Sequence, residues 1–283
     1  MYEGYWKLRE KPFENTPDPR FLYYSKKHEE ALSRMLYVIK EKKGAAILTG
    51  EYGSGKTLLS RVLLEELSDE RYHSALIFNP RLSSTELIKE IVYQLGGNTS
   101  NLSSKTDILH CLNEILYRNT KDGDKNTVVM VDEAQAIPEE NGFEELRLLL
   151  NFQLNDNFLL TLILLGQPEL KERIENLPQL RQRLAVRYHL KALTDIETKE
   201  YILHRLEVAG SREAIFTENA LEEIYRFSGG IPRRINNICD MALLVGSSEE
   251  ITEIHERMIR EVAEDLEEVP IDAEEKTGVI ADG

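Results

Sequence analysis

The sequence has little of what marks membrane, secreted or metal-rich proteins. Its 283 residues contain no apolar run near the roughly 20 residues of a membrane-spanning helix; the longest, residues 158–165, is interrupted by Thr161. The N-terminus lacks the apolar segment of a signal peptide. The two cysteines, Cys111 and Cys239, lie in apolar helical patterns without metal-ligand spacing. We therefore expect a cytoplasmic protein with reduced core thiols and no membrane span.

An excess of positive charge is also missing, because the net charge is −15. The charge is uneven, since residues 249–276 hold twelve Asp and Glu against three Lys and Arg. An acidic total argues against broad electrostatic binding to nucleic acid, although it leaves room for a local basic patch. Hydrophobic residues make up 41% of the chain, which is ordinary for a soluble globular protein of one large or two smaller domains.

One motif carries most of the functional information. Residues 50–57 read GEYGSGKT and match the phosphate-binding loop G-x-x-x-x-G-K-[ST] in full. An apolar run at 45–49 predicts the strand before the loop, and apolar residues at helical spacing predict the helix after it. We expect Lys56 to reach the β- and γ-phosphates and the Thr57 hydroxyl to ligate Mg²⁺, which a chance Gly-rich turn would not do. The predicted nucleotide-binding residues are Gly50, Glu51, Tyr52, Gly53, Ser54, Gly55, Lys56, Thr57 and Leu58.

Polar side chains follow two further apolar strands. The strand at 128–131 ends in Asp132 and Glu133, at the edge of a parallel sheet where the phosphate loop also lies. We expect Asp132 to hold Mg²⁺ and Glu133 to act as general base on the attacking water, rather than to form a solvated turn. Gln167 follows the strand at 159–165 and is either the residue that holds the lytic water or an ordinary turn amide.

Three arginines accompany the last predicted strand, residues 186–190. Arg181, Arg183 and Arg187 form either a solvated basic surface or a donor to the nucleotide of a neighbouring subunit. The spacing alone favours the solvated surface. The residues by themselves leave the choice among the three arginines open.

The pattern of elements divides the chain. Strands alternate with helices up to about residue 190, so we predict a nucleotide-binding α/β domain over 1–190. Its aromatic N-terminal segment, residues 1–25, is expected to pack onto that domain. Helical patterns alone fill 191–266 and predict a lid domain, whose last helix is expected from Ile251 to Leu266. The acidic tail, 267–283, lacks periodicity and is predicted to be disordered.

This arrangement resembles the AAA+ ATPases. The resemblance implies a P-loop NTPase fold, with a three-layer αβα domain, a five-stranded parallel sheet and a small all-α lid. It makes the phosphate loop the Walker A motif and the strand with two carboxylates the Walker B motif. It places Gln167 at the sensor 1 position and Arg233, in Gly-Ile-Pro-Arg, at the sensor 2 position that contacts the γ-phosphate. Arg183 best matches the arginine finger, with Arg181 as the fallback.

A narrower resemblance rests on seven segments, which are residues 12–13, 17–23, 28–32, 48–51, 132–135, 166–170 and 230–236. In these segments the chain resembles the ATPase module of the secretion ATPases of the ExeA (general secretion pathway protein A) type. Members of that type continue into a transmembrane helix and a periplasmic domain, which this sequence does not match. Transposition ATPases of the TniB and TnsC type share the same ATPase motifs and assemble on DNA.

We therefore expect a cytoplasmic ATPase that forms a homo-oligomer, for example a ring, around ATP and Mg²⁺, with Arg183 acting on a neighbour's nucleotide. Hydrolysis would move the lid through Arg233 and act on a secretion, pilus or export protein. The alternative is an ATP-dependent, DNA-binding regulator of the transposition type. A nucleotide switch with negligible turnover is disfavoured because Glu133 supplies a base. By resemblance, residues 12–23 lie close to the adenine.

Overall fold

The structure, a computed structural model, describes residues 2–123, 125–138, 140–154, 157–211 and 213–267. These residues form two compact units. The first, here the α/β unit, comprises residues 26–52 and 56–190. The second, here the helical unit, comprises the described residues of 1–25, 53–55 and 191–283.

The α/β unit is built on one sheet of five parallel strands in the order β2-β3-β4-β1-β5. The three internal strands are buried along their whole length, which explains their continuous apolar sequences. The edge strand β5 instead alternates half-buried and exposed residues for most of its length. The prediction of a five-stranded parallel sheet is confirmed. The strands are β1 (Ala45–Gly50), β2 (Tyr72–Ile77), β3 (Asn126–Val131), β4 (Leu160–Gly166) and β5 (Leu184–Leu190).

Helices cover this sheet and make up the helical unit. Short 3₁₀ turns lie at Pro19–Phe21 and Ala134–Ala136. Each α-helix between β1 and β5 packs its apolar residues into one core with the sheet or against a neighbouring helix. The α-helices are α1 (Tyr2–Tyr5), α2 (Lys26–Lys40), α3 (Lys56–Glu66), α4 (Ser84–Gln94), α5 (Lys105–Gly123), α6 (Glu140–Leu149), α7 (Pro168–Glu175), α8 (Pro178–Arg181), α9 (Asp195–Val208), α10 (Glu218–Ser228), α11 (Pro232–Ser248) and α12 (Glu256–Asp265).

The carboxyl ends of three neighbouring strands meet at one edge of the sheet. β4, β1 and β3 all run parallel, and Thr49 pairs with Gly166 in their register. Residues that directly follow these strands are therefore brought together although they are far apart in sequence. The phosphate loop follows β1, Asp132 follows β3 and Gln167 follows β4.

The N-terminal segment belongs to the helical unit, so the expectation that it packs onto the α/β domain is wrong. The rings of Trp6, Phe13 and Phe21 are buried in the same core as the apolar faces of α9–α12. The indole N–H of Trp6 donates to the carbonyl of Leu243 at 2.9 Å. Because the segment is nearly devoid of regular structure, its large rings supply most of its apolar surface, and that surface is buried in this core.

The last helix is shorter than predicted. α12 begins at Glu256, whereas the apolar spacing predicts a helix from Ile251. Ile254 instead forms a parallel bridge with Phe216, and its N–H donates to the carbonyl of Ile215 at 2.8 Å. Its burial therefore comes from strand-like pairing, which periodicity alone did not distinguish.

Two further predictions concern the ends of the chain and the membrane. The acidic tail predicted over 267–283 lies outside the described residues except for Glu267. Among the helices in the described ranges, none has the length and apolar character to cross a membrane.

Candidate active site

The phosphate loop leads from β1 into α3 with a backbone that requires glycine. Gly53 and Gly55 have φ angles of 81° and 99°, in the left-handed region that L-residues avoid. Such conformations turn successive N–H groups toward one concave face, which is an anion-binding arrangement. Lys56 then begins α3, so the helix N-terminus adds its positive dipole end at the same place.

Lys56 is almost completely buried, with 4% of its surface exposed. Its Nζ donates to the carbonyl oxygens of Gly50 at 2.7 Å and Glu51 at 2.9 Å. Burial lowers the pKa of the ammonium, while the charges of Glu133 and Asp132 act in the opposite direction. Its two partners are neutral, so phosphate oxygens are favourable replacements for them.

Thr57 and Asp132 bring oxygen atoms together beside the loop. The Thr57 hydroxyl donates to Asp132 Oδ2 at 2.7 Å, and the Glu133 N–H donates to Asp132 Oδ1 at 2.9 Å. Asp132 is 2% exposed, and this burial raises the pKa of its carboxyl, although the hydrogen bond from Thr57 lowers it. A hydroxyl and a carboxylate at this spacing are suitable ligands for Mg²⁺ or its water shell.

Glu133 turns the chain sharply at the end of β3. It is a non-glycine residue with a positive φ, 50°, and it precedes the 3₁₀ turn Ala134–Ala136. Conformations of this kind cost on the order of 1–3 kcal/mol and concentrate at functional sites. Its Oε2 accepts hydrogen bonds from Gln135 Nε2 at 2.5 Å and from Gln167 Nε2 at 3.2 Å. The carboxylate is therefore held by two amides.

Gln167 lies where the strand-end argument expects it. It is the N-cap residue of α7, a helix that begins at Pro168 and that the sequence analysis did not predict. Its side chain bonds to Glu133, so the structure brings the candidate base and the candidate sensor into contact.

The three candidate finger arginines lie at the other end of the α7–α8 segment. Arg181 ends α8, Arg183 follows it and Arg187 lies within β5. Arg183 Nη2 donates to Asn151 Oδ1 at 3.3 Å. Arg187 donates to the Arg181 carbonyl at 2.9 Å. In the part of the chain that the structure describes, none of these bonds joins them to Glu133, Asp132, Lys56 or Thr57.

The remaining predicted residues occupy the loop and α11. Tyr52 is 59% exposed, whereas Ser54 is buried and Leu58 half-buried. Arg233 lies in the first turn of α11, and its backbone N–H donates to the carbonyl of Gly53 at 3.3 Å. Gly53 and Arg233 belong to the same compact unit. A Cβ on Gly53 would come within 2.6 Å of Arg233 Cβ, so glycine is required for this approach.

Sequence reasoning did not assign a role to Gln135 or Arg173. Gln135 bonds to both Glu133 and Gln167, and Arg173 donates to two carbonyls of the turn that carries Glu133. Gln135 was visible in the motif Asp-Glu-Ala-Gln, but its contacts depend on the neighbouring strand β4. Only the folded sheet shows them.

Comparisons with known proteins identify the family of this chain. Residues 39–174 match the family model of the AAA domain. General secretion pathway protein A of Aeromonas hydrophila is 40% identical to this chain over 246 residues, which are 86% of this chain and 44% of that protein. The chain carries the AAA domain of the AAA+ ATPases. The family confirms the predictions of a nucleotide-binding fold and of an ATPase.

Solved AAA+ structures share the fold at low sequence identity. The Aeropyrum pernix ORC2 protein superposes with a TM-score of 0.69 at 20% identity, covering 90% of this chain and 71% of that chain. The Thermotoga maritima RuvB Holliday junction branch migration motor gives 0.56 at 18% identity, covering 86% and 70%. This AAA+ ATPase spans less than half the length of the secretion protein, so that protein's whole activity does not transfer with the match.

Proposed function

We propose that this AAA+ ATPase binds ATP with Mg²⁺ at the strand-end edge of its sheet and hydrolyses it between neighbouring subunits of a homo-oligomer. The observation that carries the proposal is the cluster at that edge. Thr57, Asp132, Glu133 and Gln167 form a continuous series of contacts from the phosphate loop to the end of β4. This series of contacts supports the proposal because a cation ligand, a base and a polar amide would then lie side by side.

The residues present fit the proposed ligand. A buried ammonium on neutral carbonyls and two glycines with left-handed backbones suit a polyphosphate. The Thr57 hydroxyl and the Asp132 carboxylate provide the hard oxygen ligands that Mg²⁺ prefers. When bound, Mg²⁺ and ATP would supply the cation charge and the phosphoanhydride bond that is cleaved.

Each side chain has a distinct task in this proposal. Lys56 neutralises charge on the β- and γ-phosphates, and Asp132 orients the cation's water shell. Glu133 accepts the proton of the attacking water at its carboxylate. Gln167, bonded to Glu133 Oε2, orients that water, and Arg233 senses the γ-phosphate.

Arg183 is our candidate for the arginine supplied to a neighbour's nucleotide. The described residues include no carboxylate in an ion pair with it; it bonds to the neutral amide of Asn151 and lies 5.9 Å over the ring of Phe158. Arg147, by contrast, is bound to Glu144 at 2.6 Å. Because an amide is a weak partner for a guanidinium, Arg183 loses little when a phosphate replaces it.

The partner assignment rests on the similarity to a secretion protein. The match to general secretion pathway protein A covers 86% of this chain. We propose that the ATPase cycle drives assembly or remodelling of a secretion, pilus or export system from the cytoplasmic side.

DNA is the competing partner. One structure with this fold is the Aeropyrum pernix ORC1 protein in complex with DNA, at 15% identity and a TM-score of 0.64. At this identity the match shows the fold alone. The arginines at 181, 183 and 187 would be the contact surface, but the net charge of −15 opposes general binding.

One titration separates the two partners. Labelled duplex DNA is mixed with increasing protein and a non-hydrolysable ATP analogue at two salt concentrations, and fluorescence anisotropy is recorded. The proposal predicts no binding at micromolar protein. Cooperative, ATP-dependent binding that weakens steeply with salt would replace the secretion assignment by the DNA-bound regulator.

A turnover assay in parallel tests the ATPase site itself. ATP hydrolysis per subunit is expected to rise with protein concentration, because each site is completed by a neighbour. Glu133→Gln is expected to lower kcat at least about 100-fold while analogue binding persists. Turnover of Glu133→Gln equal to that of the unmodified protein would overturn the base assignment.

A further inference from the structure

We infer that Gln135 is a positioning residue for hydrolysis, which holds Glu133 in the orientation of a base and ties it to α7. The inference rests on the proposed role of Glu133. Gln135 contributes no atom to the nucleotide or water contacts proposed above, and it acts through the carboxylate that it binds. The family match does not assign this role.

The Gln135 side chain bridges two strand ends. Its Nε2 donates to Glu133 Oε2 at 2.5 Å, and its Oε1 accepts from the backbone N–H of Gln167 at 3.1 Å. The first residue follows β3 and the second follows β4. One half-buried amide therefore links the base to the start of α7.

The chemistry of the partners fixes which way this amide points. The Gln167 N–H is a donor, so it requires the carbonyl oxygen of Gln135. The amide nitrogen must then face Glu133, whose ionised carboxylate accepts hydrogen bonds. Reversing the amide would place an N–H against an N–H and an oxygen against a carboxylate. Both bonds thus favour the same orientation.

Two neighbouring residues, Arg173 and Gly166, stabilise the position of Gln135. Arg173, on α7, donates through Nη1 to the carbonyls of Gln135 at 2.7 Å and Ile137 at 2.6 Å. A Cβ on Gly166 would come within 2.5 Å of Gln135 Oε1, so a larger residue at the end of β4 would push the amide away. Arg173 of α7 thus binds the backbone of the turn. Gly166 of β4 leaves space for the side chain of Gln135.

This link has a consequence for the catalytic geometry. Glu133 is placed on a strained turn and receives both side-chain bonds at the same oxygen, Oε2. Its other oxygen, Oε1, is the one left to accept a proton from water. Loss of the Gln135 bond would let the carboxylate rotate, and misplacement by about 1 Å costs about 100-fold in rate. Nucleotide binding, which uses Lys56 and Thr57, would be unaffected.

Two substitutions separate the bonds that Gln135 makes. Gln135→Met keeps the size of the side chain and removes both hydrogen bonds. Gln135→Glu keeps an oxygen for the Gln167 N–H but loses the donor to Glu133. We expect kcat for ATP hydrolysis to fall about 10- to 100-fold in both, with KM and analogue affinity unchanged.

Gln94 provides a matched control. It is also half-buried, its Oε1 accepts from the Leu76 N–H at 2.9 Å, and its Nε2 donates to Glu90 at 2.9 Å. Gln94→Met removes the same kinds of bond on α4, away from Glu133. It should lower stability as much as Gln135→Met does, yet leave kcat unchanged.

A double-mutant comparison distinguishes positioning from general support of the fold. Single-turnover rates are measured for Gln135→Met in the Glu133→Gln background. If Gln135 acts through the base, the second substitution adds little to the first. Additive losses, or a Gln135→Met enzyme with normal kcat, would overturn the inference while Glu133 remains the base. Full turnover by Glu133→Gln alone would instead defeat the proposed function.

Discussion

Asp132 has a carboxylate that is almost completely buried and that accepts one hydrogen bond from Thr57 and one from the Glu133 backbone. Burial raises the pKa of this carboxyl. A raised pKa means that the folded state favours the protonated form. The stabilisation of the folded state by this preference is fully present below the unfolded-state pKa of 3.8. It is lost as the pH rises through the folded-state pKa. At neutral pH the ionised group therefore costs stability, which suits a residue kept for binding a cation.

We expect Asp132→Asn to raise the melting temperature of the nucleotide-free protein at pH 7 in the presence of EDTA. The gain should shrink as the pH is lowered, because the raised pKa of Asp132 makes the folded state take up the proton more readily than the unfolded state. The amide can donate to the Thr57 hydroxyl, whose oxygen also accepts, so the local bonds are preserved. Differential scanning calorimetry across this pH range measures the effect.

Asp69 is the control for this prediction. The Arg71 side chain, bonded to it at 2.8 Å, lowers the pKa of the exposed Asp69 carboxyl. The Asp69 carboxylate therefore contributes to folding stability with the opposite sign. Its contribution is present above the unfolded-state pKa and is lost as the pH falls through the folded-state pKa. Asp69→Asn should leave the melting temperature at pH 7 unchanged or slightly lower. A melting temperature lowered by Asp132→Asn at pH 7 would contradict the account of a costly buried carboxylate.

At the level of elements, Arg205 makes several contacts that hold the N-terminal segment against the helices of its own unit. Arg205, on α9, is 5% exposed and donates to the carbonyls of Pro12 at 2.5 Å and Glu14 at 2.9 Å. It also donates to the Tyr201 hydroxyl at 2.8 Å and lies 4.9 Å over the ring of Phe21. A segment nearly devoid of regular structure obtains backbone hydrogen bonds in this way.

We expect Arg205→Ala to lower the free energy of unfolding of the helical unit by on the order of 3 kcal/mol, because several buried acceptors lose a charged donor. Urea titration monitored by the fluorescence of Trp6, the only tryptophan, reports on this unit directly. Amide exchange of residues 13–15 should accelerate in the same variant.

Arg257 on α12 provides the comparison, since its side chain is 88% exposed and pairs with Glu261 at 2.8 Å. An exposed pair of this kind contributes little, so Arg257→Ala should change stability by less than about 1 kcal/mol. Equal effects of the two substitutions would show that Arg205 does not anchor the segment.

The elements that the sequence predicted well are those with a strong local signal. β1, β3 and β4 are continuous apolar runs. The glycines of the phosphate loop indicate the left-handed backbone conformation that the loop adopts. α7 and the true start of α12 were missed because their signals are ambiguous. The dipeptide Gln167-Pro168 is equally typical of a turn and of a helix start. Ile254 fits the apolar spacing of a helix, but it is buried in a β-bridge with Phe216.

The candidate site divides in the same way. Lys56, Thr57, Asp132 and Glu133 were predictable because their motifs follow strands of one parallel sheet. The contact of Gln135 with Gln167 was not, because it joins residues 32 apart across two strands. The core in which the N-terminal rings are buried was likewise not predictable, because the composition of that segment does not specify which unit it packs against.

At the level of the whole molecule, the proposal requires more than one copy of the chain. The α7–α8 segment begins at the bonds to Glu133 and ends beside Arg183, so one segment connects a subunit's own base with the arginine offered to its neighbour. In a ring with head-to-tail interfaces, every subunit gives one arginine and receives one. Hydrolysis then depends on assembly, which a single folded chain does not provide.

A mixing experiment tests this central claim most directly. Glu133→Gln and Arg183→Ala are purified separately, and each alone is expected to hydrolyse ATP at least about 100-fold more slowly than the unmodified protein. When the two are mixed with ATP, an Arg183→Ala subunit keeps its base and receives Arg183 from a Glu133→Gln neighbour. Random mixing at equal amounts makes roughly one quarter of the interfaces of this intact kind.

The account predicts that the mixture hydrolyses ATP far faster than either variant alone, up to about a quarter of the unmodified rate. A mixture of Glu133→Gln with the Glu133→Gln/Arg183→Ala double variant is the control and should stay inactive. Normal turnover by Arg183→Ala alone, or two inactive variants whose mixture remains inactive although both assemble with an ATP analogue, would contradict hydrolysis completed by a neighbour's Arg183.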